Sequence, residues 1–204
     1  MRAALILAGG RSTRFGDRDK AVAELAGTPM IRRVVDRLAP FVDEVVINCR
    51  ADQVDAIEAA LSGFDPEPSF AVDRDPDAGP MAGIARGLEV VAAEYTVVVA
   101  CDMPFVDPDV VRFLFERASG HDAAVPRLGE WYQTTQAVYR TESMGSACRR
   151  ALETGADRIV TPLEELDEVV VDGDAIESVG SLDSFDNVNT VEELEAAEER
   201  LGTE

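Results

Sequence analysis

Glycines and cations near the N-terminus are spaced as a phosphate-binding loop requires. The stretch Leu5-Ile-Leu-Ala-Gly-Gly-Arg-Ser-Thr-Arg-Phe-Gly-Asp-Arg-Asp-Lys20 leaves an apolar run, Ala3 to Leu7, through Gly9 and Gly10. Glycine lets the backbone turn sharply and approach a ligand without Cβ interference. Successive amide N–H groups in such a turn form an anion-binding nest. Arg11, Arg14, Arg18 and Lys20 add positive charge, and Lys20 is the only lysine in the chain. A compact ammonium with three donors suits a phosphate oxygen as a point charge. Two better-known loops are excluded. Gly16 is followed by Asp17, so there is no Gly-Lys-Ser/Thr, and Gly9-Gly10 followed by Gly16 does not give Gly-x-Gly-x-x-Gly. The pattern instead fits a triphosphate bound at the end of a first strand.

A second group of residues suits a hard metal ion. Asp102 follows Val97-Val98-Val99-Ala100-Cys101, and a carboxylate straight after a buried strand is held rigidly. Magnesium takes one or two protein oxygens together with phosphates and water, a demand that Asp102 meets; the less favoured alternative is a capping or turn-forming aspartate, since Met103-Pro104 turns the chain. Asn189 in Phe185-Asp-Asn-Val-Asn-Thr190 offers an amide oxygen as a second ligand, and Asn187 or Asp186 could take its place. All three are also capping types. Asn48 and Asp73 could hydrogen-bond a base or ribose. Arg127, Arg140, Arg149, Arg150 and Arg158 could meet an anionic second substrate, or pair with the many acids. The single histidine, His121, is expected at the start of a strand with no catalytic part.

Positioning these residues requires alternating strands and helices. Ala3 to Leu7, Glu44 to Cys49, Ser69 to Val72 and Tyr95 to Cys101 read as strands. The last is a near-continuous β-branched run, the mark of a central parallel strand covered on both faces. Thr28-Pro29 reads as an N-cap with an N1 proline opening a helix through Ile31, Val34, Val35 and Leu38. Further helices are expected over Ala51 to Leu61, Met81 to Ala93, from Asp107-Pro108 to Ala118, and over Glu142 to Glu153. A short one should begin at the Thr161-Pro162 cap, and a last one at the Thr190-Val-Glu-Glu193 capping box, running to Leu201. Weaker strands are expected over Asp122 to Val125, Gln136 to Tyr139 and Glu168 to Asp172. Gly129-Glu-Trp-Tyr132 should lie in or beside a turn. The alternation predicts an α/β fold, one Rossmann-like three-layer domain over residues 1–204 with a mainly parallel central sheet. Ligands of such sheets bind outside the carboxyl ends of the strands. Gly9-Gly10, Asn48, Asp73 and Asp102 all fall there.

With 46% hydrophobic residues the chain can bury a sizeable core. It has no apolar run of membrane-spanning length and no secretory pattern at its N-terminus, so a cytoplasmic protein is expected. Cys49, Cys101 and Cys148 are odd in number and lack Cys-x-x-Cys spacing, as reduced thiols would. A net charge of −21 would repel duplex nucleic acid. Such acidity with almost no lysine suggests adaptation to high salt, where screening relieves self-repulsion; a merely acidic protein is the alternative. Thermal unfolding followed from low to molar KCl should therefore show rising midpoints. A flat or falling series would contradict salt adaptation.

Several segments together resemble the molybdenum cofactor guanylyltransferases, also called molybdopterin-guanine dinucleotide synthases. They are Leu7-Ala-Gly-Gly-Arg-Ser-Thr-Arg-Phe-Gly-Asp-Arg-Asp-Lys20, Gly27-Thr-Pro-Met30, Val46-Ile-Asn48, Asp73, Gly79-Pro-Met-Ala-Gly83, Cys101-Asp-Met-Pro104 and Val188-Asn-Thr190-Val-Glu-Glu-Leu194. The resemblance implies a glycosyltransferase-A-like nucleotidyltransferase fold, GTP as donor, Mg2+ as cofactor and molybdopterin as acceptor. It places Leu7, Ala8, Gly9, Gly10, Lys20, Asn48, Asp73, Gly79 and Asp102 around GTP, with Asp102 and, more loosely, Asn189 on the metal. The implied reaction is in-line attack of the pterin's terminal phosphate oxygen on the α-phosphorus of GTP, with pyrophosphate leaving. Arg14, Lys20 and the loop amides would stabilise the leaving group. Proteins that donate the pterin or receive the finished cofactor are implied partners. Met81 stands where leucine is usual, and Arg127 to Gln136 matches no family segment and could hold acceptor determinants. The alternatives are a sibling of the same fold, such as a molybdenum cofactor cytidylyltransferase, a phospholactate guanylyltransferase or a sugar-phosphate nucleotidyltransferase, and a non-catalytic nucleotide-binding scaffold. A scaffold has no need of Lys20 or Asp102.

Overall fold

The N-terminal apolar run forms the strand on which the rest is assembled. In the computed structural model, which describes residues 1–10, 15, 19–75, 78–156 and 158–202, β1 (Arg2–Leu7) is followed by a two-strand hairpin, β2 (Glu24–Leu25) and β3 (Thr28–Pro29), and by α1 (Met30–Leu38). Next come β4 (Glu44–Cys49), α2 (Val54–Ala60), β5 (Ser69–Val72), α3 (Pro80–Leu88), β6 (Tyr95–Ala100) and α4 (Pro108–Ala118). The last part of the chain contains β7 (Ala123–Leu128), β8 (Trp131–Tyr132), β9 (Gln136–Arg140), α5 (Thr141–Glu153), β10 (Glu168–Asp172), α6 (Gly173–Glu177) and α7 (Val191–Leu201).

The main sheet runs in the order β10-β7-β9-β6-β1-β4-β5, with β8 added beside β7. β5, β4, β1 and β6 are mutually parallel, β9 is antiparallel to both β6 and β7, and β10 is parallel to β7. The strand alternation sorts side chains to two faces. Ala4, Ile6, Ile47, Val97 and Val99 meet α1, α2 and α4 on one side; Leu5, Val46, Val98, Ala137 and Tyr139 meet α3 and α5 on the other. Burial on both faces accounts for the unbroken apolar sequences of β1 and β6. A third cluster joins Phe15, Leu25 and Met30 to Val188, Leu194 and Ala197, and so seats α7 and the loop before it against the hairpin.

Four expectations are corrected in detail. Thr28 does not cap the helix: it and Pro29 pair with Leu25 and Glu24 as β3, and Pro29 takes the N-cap position of α1 with no side-chain hydrogen bond. Ala26 (φ 49°) and Gly27 (φ 74°) carry the two positive φ angles of a tight hairpin turn, which draws Thr28-Pro29 into the ladder. The helix over Met81 to Ala93 stops at Leu88, where the chain turns to enter β6 and the Ala92 amide donates to the Glu44 carboxylate. Ala51–Gln53 is a short 3-10 turn before α2 rather than part of one helix. Thr161–Glu165 is 3-10 as well, with no side-chain cap from the residue before it. The box at Thr190 is present: its hydroxyl accepts from the Glu193 amide and the Glu193 carboxylate accepts from the Thr190 amide, each at 3.1 Å.

A candidate nucleotide site at the carboxyl edge of the sheet

From β1 the chain builds outward through β4 to β5 with its helices on one face. It then crosses by α3 on the other face to β6, which lies on the opposite side of β1. The strand order therefore reverses between β1 and β6, and the crevice outside their carboxyl ends is where an open α/β sheet binds ligands. Residues 8–10 leave β1 at this point, and Cys101-Asp102 leave β6. The Cys101 amide donates to the Leu7 carbonyl at 3.0 Å, and the Ala8 amide to the Asn48 carbonyl at 2.8 Å, so the three strand ends are stitched together.

On the β6 side, Lys20 is the organising residue. Asp19 caps the 3-10 turn that carries it, accepting from the Ala21 amide at 3.0 Å. The Lys20 ammonium donates to Asp102 Oδ2 and, at 2.9 Å, to Asn189 Oδ1. Asn189 reaches this place because the Val188 amide donates to the Asp102 carbonyl at 2.8 Å, which fixes the register of the loop before α7. Asp102 Oδ1 is buried and accepts no hydrogen bond among the described residues. Two hard oxygens, Asp102 Oδ2 and Asn189 Oδ1, thus converge on one cationic point. Among the described residues no group of three or more histidine, cysteine or acidic side chains is placed to hold a metal ion.

On the β4 side, Asn48 is 2% exposed and its amide donates to the Ala71 carbonyl at 3.0 Å and to Asp73 Oδ1 at 2.6 Å. Burial raises the Asp73 pKa above its usual value, against the opposing pull of Asn48, Arg50 and Arg86. A ligand N–H or O–H donated to Asp73 would stabilise its ionised form. Backbone and side chains approach closely here: a Cβ on Gly9 would overlap Asp73 Oδ2, and one on Gly83 in α3 would overlap Asn48 Oδ1. A side chain at either position would push Asp73 or Asn48 out of its place.

The residues expected at the site are brought together. Leu7 ends β1, Ala8 and Gly9 lie between Asn48 and Asp73, Gly10 is exposed beside them, and Gly79 (φ 82°) precedes α3. Arg14, Arg11 and Arg18 lie outside the described residues. Two supporting residues were missed. Arg50 donates to the carbonyls of Gly9 (3.1 Å) and Gly10 (2.5 Å), and the buried Gln53 donates to the Ala8 carbonyl (2.9 Å) and to Asp19 (2.7 Å). They brace the glycine turn from α2's side. Among the candidate arginines, Arg140 pairs with Glu94 and Arg150 with Glu165, as ion pairs would. His121 sits in the turn before β7, at the amino edge of the sheet, with Nδ1 2.9 Å from Asp167. All three cysteines are free and buried. Burial pushes the Cys49 and Cys148 thiols up to about 12 and raises that of Cys101 as well, so none is poised as a nucleophile.

Residues 4–169 match the family described as the MobA-like NTP transferase domain. This chain belongs to that family. It is 54% identical over 200 residues, 98% of each chain, to a protein of Natronomonas pharaonis named probable molybdenum cofactor guanylyltransferase. It is 42% identical to a protein of the same name from Haloferax mediterranei, over 98% of this chain and 94% of that one. The solved structure of molybdopterin-guanine dinucleotide biosynthesis protein A from Archaeoglobus fulgidus superposes over 100% of both chains with a TM-score of 0.81 at 30% identity. A MobA-like transferase is a nucleotidyltransferase, and the sheet edge described above lies within the matched residues. Asn189 lies beyond them, so its part in the site rests on its hydrogen bond to Lys20 and the anchoring of its loop to Asp102.

Proposed function

We propose that this enzyme transfers GMP from GTP to the terminal phosphate of molybdopterin, releasing pyrophosphate, with Mg2+ as cofactor. The observation that carries the reading is the Lys20–Asp102–Asn189 constellation at the topological switch point, next to a glycine turn braced by Arg50. Asp102 and Asn189 are the residues that would hold Mg2+, as their hard oxygens and the unpaired Asp102 Oδ1 fit that ion. When bound, the ion neutralises phosphate charge and aligns the triphosphate.

The rest is done by the chain's own groups. Asn48 and Asp73, locked to each other, receive the nucleoside. The residue 8–10 turn approaches the phosphates closely because glycine leaves the space free. Lys20 stands between Asp102 and Asn189 and can swing its ammonium toward the incoming phosphates, where it stabilises the charge that develops on pyrophosphate. The acceptor phosphate is itself a nucleophile, and the depressed reactivity of all three thiols fits direct transfer with no covalent enzyme intermediate. The three buried free thiols suit a reducing cytoplasm. No helix among the described residues is long and apolar enough to cross a membrane. The protein's partners would be those that hand over the pterin or accept the finished cofactor, and its charge disfavours nucleic acid.

Calorimetry with GTP, CTP, ATP and UTP in Mg2+ tests the donor. GTP is expected to bind most tightly, by roughly tenfold or more, as a site with placed hydrogen-bonding groups discriminates between bases. A clear preference for CTP would move the protein to the cytidylyltransferase siblings.

A further inference from the structure

The phosphate-binding parts of the site belong to one segment, with the Gly9-Gly10 turn at its start and Lys20 at its end. Three residues join these two ends. Gln53 is 1% exposed, and its Nε2 donates both to the Ala8 carbonyl at 2.9 Å and to Asp19 Oδ2 at 2.7 Å. Its Oε1 accepts from the Arg50 amide at 2.9 Å, so the orientation of the carboxamide is set. Arg50 Nη1 donates to the Gly9 and Gly10 carbonyls, while its Nη2 stands 3.8 Å from Asp19 Oδ2. Asp19 completes the link, since its other oxygen accepts from the Ala21 amide in the turn that carries Lys20.

This network does more than brace one turn. In a trans peptide the N–H points away from the carbonyl. With Gln53 on the Ala8 carbonyl and Arg50 on the Gly9 carbonyl, the N–H groups of Gly9 and Gly10 are directed away from those donors. At the other end, Asp19 caps the 3-10 turn from which the Lys20 ammonium reaches Asp102 and Asn189. One buried carboxamide therefore ties the amide donors to the ammonium. The sheet does not need this link: Ala8 lies beyond β1, and Ala51–Gln53 lies between β4 and α2. A buried polar network rigidifies a site only when its members are satisfied, so a single mismatch unsettles the whole of it.

We propose that Arg50, Gln53 and Asp19 are positioning residues, a clamp that fixes the spacing between the Gly9-Gly10 turn and Lys20 so that amides and ammonium meet the same run of phosphates. The proposal rests on the reading that a nucleoside triphosphate is bound at this edge, and it is independent of the base and of the acceptor. The two parts of the clamp act on different steps. Arg50 holds the turn, which grips phosphate in the ground state. The Gln53–Asp19 bond aims Lys20, whose charge counts most as pyrophosphate departs.

The Asp19–Gln53 bond can be broken from either side and remade in reverse. Gln53→Glu sets a carboxylate against the Asp19 carboxylate and the Ala8 carbonyl. Asp19→Asn leaves one oxygen for two donors, Gln53 and the Ala21 amide. In the double variant the new amide can donate to the new carboxylate at the wild-type net charge, and only the Ala8 carbonyl stays without its donor. With GTP, Mg2+ and molybdopterin, each single variant should lower kcat about tenfold or more, with a smaller change in GTP affinity by calorimetry. The double variant should turn over about tenfold faster than the product of the two single losses. Arg50→Lys keeps the charge without the fork; it should weaken GTP binding about tenfold and change kcat less. Amide exchange in the nucleotide-free protein reads the clamp without a substrate. The Ala21, Val22 and Ala23 amides, each hydrogen-bonded within the turn, should exchange about tenfold faster in either single variant and return toward wild-type protection in the double. The proposal is overturned if the single losses multiply in the double, as independent effects do, or if both single variants keep wild-type exchange and kcat. It is equally overturned if exchange rises to the same degree throughout the chain, as general destabilisation gives. Faster exchange that the double variant reverses, in a protein that does not turn over GTP, would fault the proposed donor and leave the clamp assigned.

Discussion

Asp102→Asn is expected to lower pyrophosphate release from GTP by about two orders of magnitude or more, with the fold intact. The asparagine keeps the size of the side chain and an oxygen that can accept from Lys20, so β6 and its contacts survive. The change of a charged partner for a neutral one costs on the order of 1 kcal/mol in stability. The Asp102 charge at the convergence point is lost, and with it a group that would hold the cation against the phosphates. Repulsion of the triphosphate falls at the same time. Metal-free GTP binding should therefore persist while Mg2+-dependent tightening and turnover disappear. Calorimetry with and without Mg2+, alongside a pyrophosphate assay, separates the two effects. Turnover near the wild-type rate would show that Asp102 does not hold the ion, and an unfolded variant would make it a structural turn residue.

Lys20→Met should be nearly as damaging, and by a different route. The methionine keeps the aliphatic stem and removes the ammonium. Loss of one preorganised charged donor to a developing phosphate charge costs about two to three orders of magnitude in kcat. Lys20→Arg should not restore the rate, because a planar fork cannot stand between Asp102 Oδ2 and Asn189 Oδ1 as a compact ammonium does. The two oxygens become available in Lys20→Met, so Mn2+ measured by electron paramagnetic resonance should bind the nucleotide-free variant more tightly than the wild type. Unchanged Mn2+ affinity together with unchanged turnover would remove Lys20 from the site.

Where the sequence was legible, a local rule and a long-range one agreed. Strands ending in Gly9-Gly10, Asn48, Asp73 and Asp102 had to share an edge once the sheet was parallel, and the structure joins them through hydrogen bonds. Asn189 was one of three equivalent candidates, because Asp186, Asn187 and Asn189 are all capping types. What separates them is tertiary: Val188 hangs on the Asp102 carbonyl, Asn187 turns back to the Phe185 carbonyl, and Asp186 pairs with Arg200. Arg50 and Gln53 gave no sequence signal, since their partners lie some 40 residues earlier on the glycine turn. Thr28-Pro29 was misread because an N-cap pattern and a hairpin strand share those residue types, and the positive φ angles of Ala26 and Gly27 decide between them.

The most direct measurement of the central claim follows the phosphorus atoms of GTP. The enzyme is incubated with Mg2+, molybdopterin and GTP labelled either at the α- or at the γ-phosphorus. The account predicts that α-label moves into a pterin–guanosine dinucleotide while γ-label leaves as pyrophosphate, and that neither occurs in Asp102→Asn. Release of γ-label as orthophosphate, or α-label remaining on free guanosine nucleotides while the acceptor is unchanged, would contradict it.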